Sequence, residues 1–381
     1  MKVTLIGTLP PIKALSPYCF HLAQALSKKI DLQFINFINT LPNFLYKGGM
    51  KENTSYSLKN FEINSILSLY NPLSWIKAGL KIDGKIVHLQ HWALYSSIVY
   101  CFLSPIIKIR GKKCVVSIHN ITPHRNDFFT IILDRILNKI IFSFSDIFIV
   151  HNERNKNKLL KIYKLDEKKI FIIPHGTLYP YQKIKGISKK EARSYLNIQM
   201  NKKEILFFGY MWDYKGLEYL LKALKKVTFR INNVVLVIAG QPLKDWKKYE
   251  EIIKQNDLDK YIIKKLEYIP DAELEYYFNS SDLVLLPYKQ HRFNTHGGVG
   301  ALALSFKKPL IVTDVGGLPE YVKDKRVIAN PDDPDDLSLK IINVLTNEDL
   351  LKKLAEDSEK LSRELSWDII ADNTIEIYRK L

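Results

Sequence analysis

The chain has 381 residues, 46% of them apolar and 12% aromatic, and a formal charge of +17. That length exceeds the roughly 100–200 residues of one domain, so two domains with separate cores are expected, and the apolar content excludes a disordered chain. The three cysteines, Cys19, Cys101 and Cys114, have no metal-ligand spacing and read as reduced, mostly buried residues of a cytoplasmic protein.

From the start, Met1-Lys-Val-Thr-Leu-Ile-Gly runs directly into a core strand without a small-residue cleavage site, so no secretory signal is expected. Strands are expected near 2–7, 31–37, 85–89, 113–118, 146–151 and 170–173, with helical patterns between them such as Ser16 to Lys28 and Asp127 to Phe144. This rhythm predicts a doubly wound parallel sheet. The most apolar stretch, Trp92 to Ile107, is shorter than the about 20 residues of a membrane span and holds Pro105. Pro174-His-Gly-Thr-Leu-Tyr-Pro-Tyr-Gln reads as a linker, a charged helix follows near Ser188–Leu196, and a second sheet begins at Ile205. The tail opens on Asn-Pro-Asp-Asp-Pro-Asp-Asp-Leu, a helix-start signal with acidic residues at the positive end of the dipole, and two helices are expected after it.

Charge is distributed unevenly: residues 1–180 carry 24 Lys and Arg against 10 Asp and Glu, while the remaining 33 and 30 nearly cancel. Lysine-rich coding bias does not favour one half, which leaves an anionic membrane surface, a solvated face or nucleic acid as partners of the first half. No zinc finger, RNA-recognition signature or basic heptad helix supports nucleic acid. The lipid-facing pieces expected are Phe44–Lys51, Trp75–Lys81 and the 92–113 stretch, with core helices carrying snorkelling lysines as the alternative.

Two turns in the second half carry chemistry. The apolar run Ile205-Leu-Phe-Phe breaks at Gly209-Tyr210 and restarts as a helix after Tyr214-Lys215-Gly216; the strand Leu283–Leu286 leads through a polar loop to His296-Gly-Gly-Val-Gly. Parallel sheets place ligands beyond the carboxyl ends of their strands, where helix N-termini offer N–H groups to anions. Lys215 and the Gly297-Gly298 amides can therefore close on one diphosphate. The alternative is a tight turn with a solvated lysine.

With Val-Ile-Ala-Gly at 237–240, Tyr-Ile-Pro at 268–270, Ser-Asp-Leu-Val-Leu-Leu-Pro-Tyr at 281–288 and Lys-Pro-Leu-Ile-Val-Thr-Asp-Val-Gly-Gly-Leu-Pro-Glu at 308–320, this half resembles the donor half of a family 4 glycosyltransferase. The resemblance implies the GT-B fold: two Rossmann-like doubly wound parallel-sheet domains facing a central cleft. It divides the chain into an acceptor-binding domain (1–180), a nucleotide-sugar-binding domain (181–363) and a last helix (364–381) that crosses back to the first domain. It implies sugar transfer from a nucleotide-diphosphate donor to a glycan or lipid-linked acceptor, retaining and without a metal or other cofactor, in cell-surface polysaccharide or glycoconjugate synthesis. The expected location is cytoplasmic, peripheral on the inner face of the membrane.

Transfer leaves negative charge on the departing diphosphate, and a cation beside a helix N-terminus answers it. The resemblance makes Gly209, Tyr210, Lys215, Tyr268, Ile269, His296, Gly297, Gly298 and Val299 donor-binding. It makes His119, at a strand end in Val-Val-Ser-Ile-His-Asn, a cleft histidine that aids catalysis beside Lys215 without acting as a base. A hydrogen-bonded structural histidine is the alternative. Lys13, Tyr18, His91, His124 and Arg125 are the acceptor-side candidates. One departure stands out: Asn294 and Leu302 occupy the positions of the family's two glutamates, and Tyr210 that of its usual arginine. A branch that reads Tyr-Lys-Gly and replaces the glutamates by a glycine turn fits better. A sugar-nucleotide epimerase or a non-catalytic sugar-nucleotide binder are the rival readings, separable by product analysis.

Overall fold

The computed structural model describes residues 1–10, 15–39, 61–92, 94–121, 128–177, 185–290 and 298–381. The chain forms two compact units, one of Met1–Gly176 with Leu365–Leu381 and the other of Thr177–Glu364.

In the first unit the chain runs β1 (Lys2–Gly7), α1 (Ser16–Ser27), β2 (Asp31–Asn39), β3 (Glu62–Ser68), α2 (Pro72–Lys81), β4 (Ile86–His91), α3 (Leu94–Ile109), β5 (Lys113–Ile118), α4 (Phe128–Ser143), β6 (Ile147–Val150), α5 (Glu153–Tyr163) and β7 (Ile170–Ile172). The strands form one parallel sheet in the order β3-β2-β1-β4-β5-β6-β7. Val, Ile, Leu and Phe fill β1, β4, β5 and β6 because both faces of a parallel sheet are covered. One face packs against α2, α3, α4 and α5. The edge strand β3 was not legible in the sequence: Glu-Ile-Asn-Ser-Ile-Leu-Ser is partly exposed and lacks a continuous apolar run.

The second unit runs α6 (Lys189–Tyr195), β8 (Lys203–Phe208), α7 (Leu217–Thr228), β9 (Val234–Ala239), α8 (Lys247–Gln255), β10 (Ile262–Lys265), α9 (Leu274–Ser280), β11 (Leu283–Leu286), α10 (Gly298–Ser305), β12 (Leu310–Thr313), β13 (Ile328–Ala329), α11 (Pro334–Thr346) and α12 (Glu348–Glu364). Its parallel sheet has the order β10-β9-β8-β11-β12-β13. Ser188 starts α6 through a capping box with Glu191, and Asp333 caps α11 by accepting from the amides of Asp335 and Asp336. The tail holds three helices where two were expected: Asn347 accepts from Leu350 N–H and splits α11 from α12, and Ser366 opens α13 (Trp367–Tyr378). That last helix packs on α1 within the first unit.

Each sheet reverses its winding beside one strand. The chain steps from β1 outward to β2, then returns past β1 to β4; from β8 it goes to β9 and later returns to β11. The carboxyl ends of β1 and β4, and of β8 and β11, are therefore the ligand positions in this architecture. Gly7 and Gly209 close the two leading strands there.

At the opposite end of the second sheet, Arg193 is buried against Asp282 at 2.8 Å, and Glu204 is buried beside both. Ser280 Oγ donates to Glu204 Oε1 at 2.7 Å, but Glu204 Oε2 has no hydrogen-bond donor among the described residues. Burial pushes this carboxyl up to about 7 from its ordinary 4.5. A raised folded-state pKa contributes stability that is present below pH 4.5 and lost as pH rises through about 7, an effect of about 3 kcal/mol. Glu204→Gln keeps the acceptor for Ser280 and removes the titration. Urea unfolding at pH 5 and pH 8 is therefore expected to show a fall in midpoint for the wild type and a flatter response for the variant; equal slopes would refute the assignment.

Candidate active site

Lys215 is the centre of the second unit's ligand end. It lies on the turn between β8 and α7, where Gly216 takes a left-handed φ of 72°. A Cβ at Gly216 would run into the Pro287 carbonyl, so the turn is pressed against the end of β11. Lys289 holds it from the other side: its N–H donates to the Tyr214 carbonyl at 2.8 Å, and its ammonium lies 3.3 Å from Asp213 and 3.6 Å from Glu218. Lys248 and Lys222 also pair with Glu218, and Lys248 above all draws that carboxyl down to about 2.

The Lys215 ammonium itself is buried, 6% exposed, and donates to the Phe208 carbonyl at 3.3 Å. No carboxylate among the described residues pairs with it. Burial lowers its pKa from 10.5 to about 8. Gly209 has φ 93°, and a Cβ there would stand 2.9 Å from Lys215 Nζ and 3.3 Å from Val299 Cγ2. Gly209, Lys215 and the first turn of α10 thus converge on one point beyond β8. Gly298 and Val299 begin α10, whose N-terminal amides have no intrahelical acceptor. A buried cation facing free helix amides is completed by an anion.

Around it, the rings of Tyr210 and Tyr268 lie 6.2 Å apart at 32°, with Tyr268 exposed. Ile269 is buried. Leu302, at one of the missing glutamate positions, is half-buried on α10. Asp314 and Glu320 are exposed near the turn after β12. His296, Gly297 and Asn294 lie outside the described residues, as do Lys13, His124 and Arg125 on the acceptor side and the 44–51 segment.

In the first unit the ligand end is a buried chain of hydrogen bonds. His151 Nδ1 donates to the Ile173 carbonyl at 2.9 Å, and its Nε2 lies 2.9 Å from His119 Nδ1. Burial holds His119 well below 6.5, hence neutral, and its Nε2–H donates to the Gln90 side-chain oxygen at 2.9 Å. The amide nitrogen of Gln90 donates to His88 Nε2 at 3.1 Å, and that ring nitrogen also lies 2.7 Å from Ser117 Oγ. His88 Nδ1 is bonded to the Tyr378 hydroxyl at 2.6 Å. Gln90 thus bridges the two histidines, its oxygen toward His119 and its nitrogen toward His88. Tyr18 sits edge-on to His119, ring centroids 4.5 Å apart, and also contacts His151, His175 and Trp367.

His119 therefore stands at the end of β5 with both ring nitrogens bonded. The side chains of Tyr18 and His91 are buried: Tyr18 packs into the histidine cluster, and His91 Nε2 bonds Ser97 Oγ at 2.7 Å. The sequence reading missed His88, Gln90, His151 and Tyr378. A signal was present, because His119 and His151 each directly follow a core strand of one parallel sheet.

This architecture is the GT-B fold. Anabaena HepE, solved in complex with UDP, superposes with a TM-score of 0.74 at 14% identity, covering 100% of both chains. Residues 188–361 match the family described as glycosyl transferases group 1. An uncharacterized glycosyltransferase of Methanocaldococcus jannaschii is 28% identical over 230 residues, 59% of this chain and 57% of the relative. The O-antigen chain mannosyltransferase B of Escherichia coli is 24% identical over 180 residues, 46% of this chain and 45% of that protein. The chain spans about half the length of these curated relatives.

The convergence on Gly209 is testable. Gly209→Ala places a methyl against the Lys215 ammonium and is expected to weaken pyrophosphate binding by roughly tenfold or more, measured by calorimetry, since a charge-assisted bond carries about 1.5–3 kcal/mol. Gly186→Ala serves as control, because Gly186 shares the positive φ but has nothing near its Cβ position. Equal losses would assign the effect to backbone strain alone.

Proposed function

We propose that this chain is a glycosyltransferase that moves a sugar from a nucleoside diphosphate, bound by the second unit, to a glycan or lipid-linked acceptor. The observation that carries the reading is the buried Lys215 ammonium, without a carboxylate partner among the described residues, beside Gly209 and the start of α10. As the sugar–oxygen bond breaks, negative charge develops on the diphosphate. Lys215 and the amides of Gly298 and Val299 neutralise it, and His296 and Gly297 are the further donor-side residues of this reading. The rings of Tyr210 and Tyr268 and the Ile269 backbone hold the nucleoside.

His119 holds a neutral, oriented ring toward the transferred sugar rather than moving a proton, and Lys13, His124 and Arg125 address the acceptor. The course is retaining and needs no metal, as the family 4 resemblance implies; Lys215 and the helix supply the neutralisation. The enzyme works at the inner face of a membrane, in polysaccharide or glycoconjugate synthesis, through its basic first unit.

A panel of radiolabelled nucleotide sugars offered with membrane-lipid extract and soluble glycans tests this. Wild type is expected to transfer one sugar, and Lys215→Ala to lose roughly 10²–10³-fold in kcat. An anion prefers the protonated lysine, so donor affinity of the wild type is expected to fall as pH rises above about 8, the folded value for Lys215, and to be flat there in the variant. Donor binding without transfer to any acceptor would sink the enzymatic reading. A pH profile that persists in Lys215→Ala would remove Lys215 from the diphosphate.

A further inference from the structure

We propose that the outward face of α2, α3 and α4 is a docking surface for an anionic lipid bilayer. This rests on the reading of a lipid-directed transferase and says which surface carries the protein to its acceptor. The three helices form one layer. Gly79 of α2 lies against Ile106 of α3, the rings of Trp75 and Phe102 are 5.0 Å apart, and α3 packs along α4.

The inner side of this layer covers the sheet through Trp75, Ala78, Val99, Leu103, Ile107 and Ile141. Its outer side is also apolar. Leu73 and Leu80 on α2, Phe102 and Ile109 on α3, and Phe128 and Phe129 on α4 are exposed, Ile109 at 85% and Phe128 at 80%. Along α4 the apolar positions continue at Ile132, Ile136 and Ile140, one per turn from Phe128. Solvent-facing large apolar groups in such number mark an interaction site rather than ordinary surface.

Charge selects the occupant. Lys77 and Lys81 on α2, Lys108 and Arg110 at the end of α3, and Arg135 and Lys139 on α4 are exposed. Neither α2 nor α3 contains an acidic residue, and the only one on α4, Asp134, is buried and bonded to Asn138. Of the six cations only Lys108 has a carboxylate partner among the described residues, Asp146 at 3.1 Å. A second copy of the chain on this face would set cations against cations. A layer of phosphodiester headgroups over acyl chains takes both features: the cations meet the phosphates, and Phe128, Phe129 and Ile109 enter the acyl boundary. No helix among the described residues is long and apolar enough to cross a membrane, so the face lies on the bilayer.

The full chain is mixed with vesicles of phosphatidylcholine alone or with added phosphatidylglycerol, and sedimentation is followed with rising salt. Wild type is expected to sediment with the anionic vesicles only and to be partly released by salt. Phe128→Ser/Phe129→Ser and Arg135→Glu/Lys139→Glu are each expected to lose roughly tenfold or more in apparent affinity while keeping wild-type nucleotide binding, which reports the second unit. Sedimentation of both variants like wild type, or no sedimentation of wild type, overturns the proposal. So does self-association of wild type that both variants abolish, which would assign the face to a second copy. Transfer to a soluble acceptor separates the two readings: vesicle binding without transfer leaves the face standing and removes the enzyme, and transfer without vesicle binding does the reverse.

Discussion

A lysine ammonium held inside the fold, with no carboxylate among the described residues to answer it, is the constraint around which the second unit is arranged. Lowering its pKa from 10.5 to about 8 corresponds to about 3 kcal/mol against the charged form. A solvated lysine on a free turn would swing outward and recover that energy. Here it is prevented from doing so. Gly216 brings the turn against Pro287, the Gly240 backbone closes on Gly209, and Lys289 ties the turn to Asp213 and Glu218. Asp213 and Glu218, the acidic residues of this segment, pair instead with Lys222, Lys248 and Lys289. The arrangement leaves a cation poised for a ligand's charge, which is the preorganisation an electrostatic catalyst needs.

The first unit solves the opposite problem. Its ligand end is crowded with imidazoles, of which burial keeps His88, His91 and His119 neutral. A hydrogen-bonded run joins Tyr378 through His88, Gln90, His119 and His151 to the Ile173 carbonyl. Its members come from α13, β4 and the residues after β5, β6 and β7. The chain therefore ties the last helix to the sheet by polar as well as apolar contacts, and fixes His119 in one tautomer. A ring so held offers shape and dipole to a substrate. It has no free nitrogen with which to exchange a proton.

How far this was legible in the sequence follows from the range of the interactions. The strands carrying Gly209 and His119 are continuous apolar runs closed by a turn residue, so their position and their ligand ends could be read locally. The Tyr-Lys-Gly turn was readable for the same reason. The burial of Lys215 was not, because it depends on Pro287 and Val299, some 70 to 80 residues away. Tyr18 and His91, acceptor-side candidates by sequence, are buried in the fold, one on α1 and the other at the end of β4. Edge strand β3 escaped because only its last two residues are buried. The histidine chain required knowing that β4, β5 and β6 are adjacent, which strand periodicity does not state.

The same distinction applies to charge. In the second unit, cations and carboxylates largely answer one another: Asp324 with Arg326 and Lys353, Glu359 with Lys307 and Arg363, Glu218 with Lys222 and Lys248. Exposed pairs of this kind contribute only about 0–1 kcal/mol each, so their main effect is to cancel the field. In α2, α3 and α4 the cations have almost no carboxylate partners among the described residues, and large apolar groups on the same helices face water. The helical pattern of Asp127 to Phe144 was readable in sequence, yet the helix is apolar on more than one side. Only packing shows that the sheet takes Ile141 and Phe142 and leaves Phe128, Phe129 and Ile136 outside. A net charge is a property of composition, whereas an uncompensated charge beside uncovered apolar surface belongs to the fold, and only the second specifies a partner.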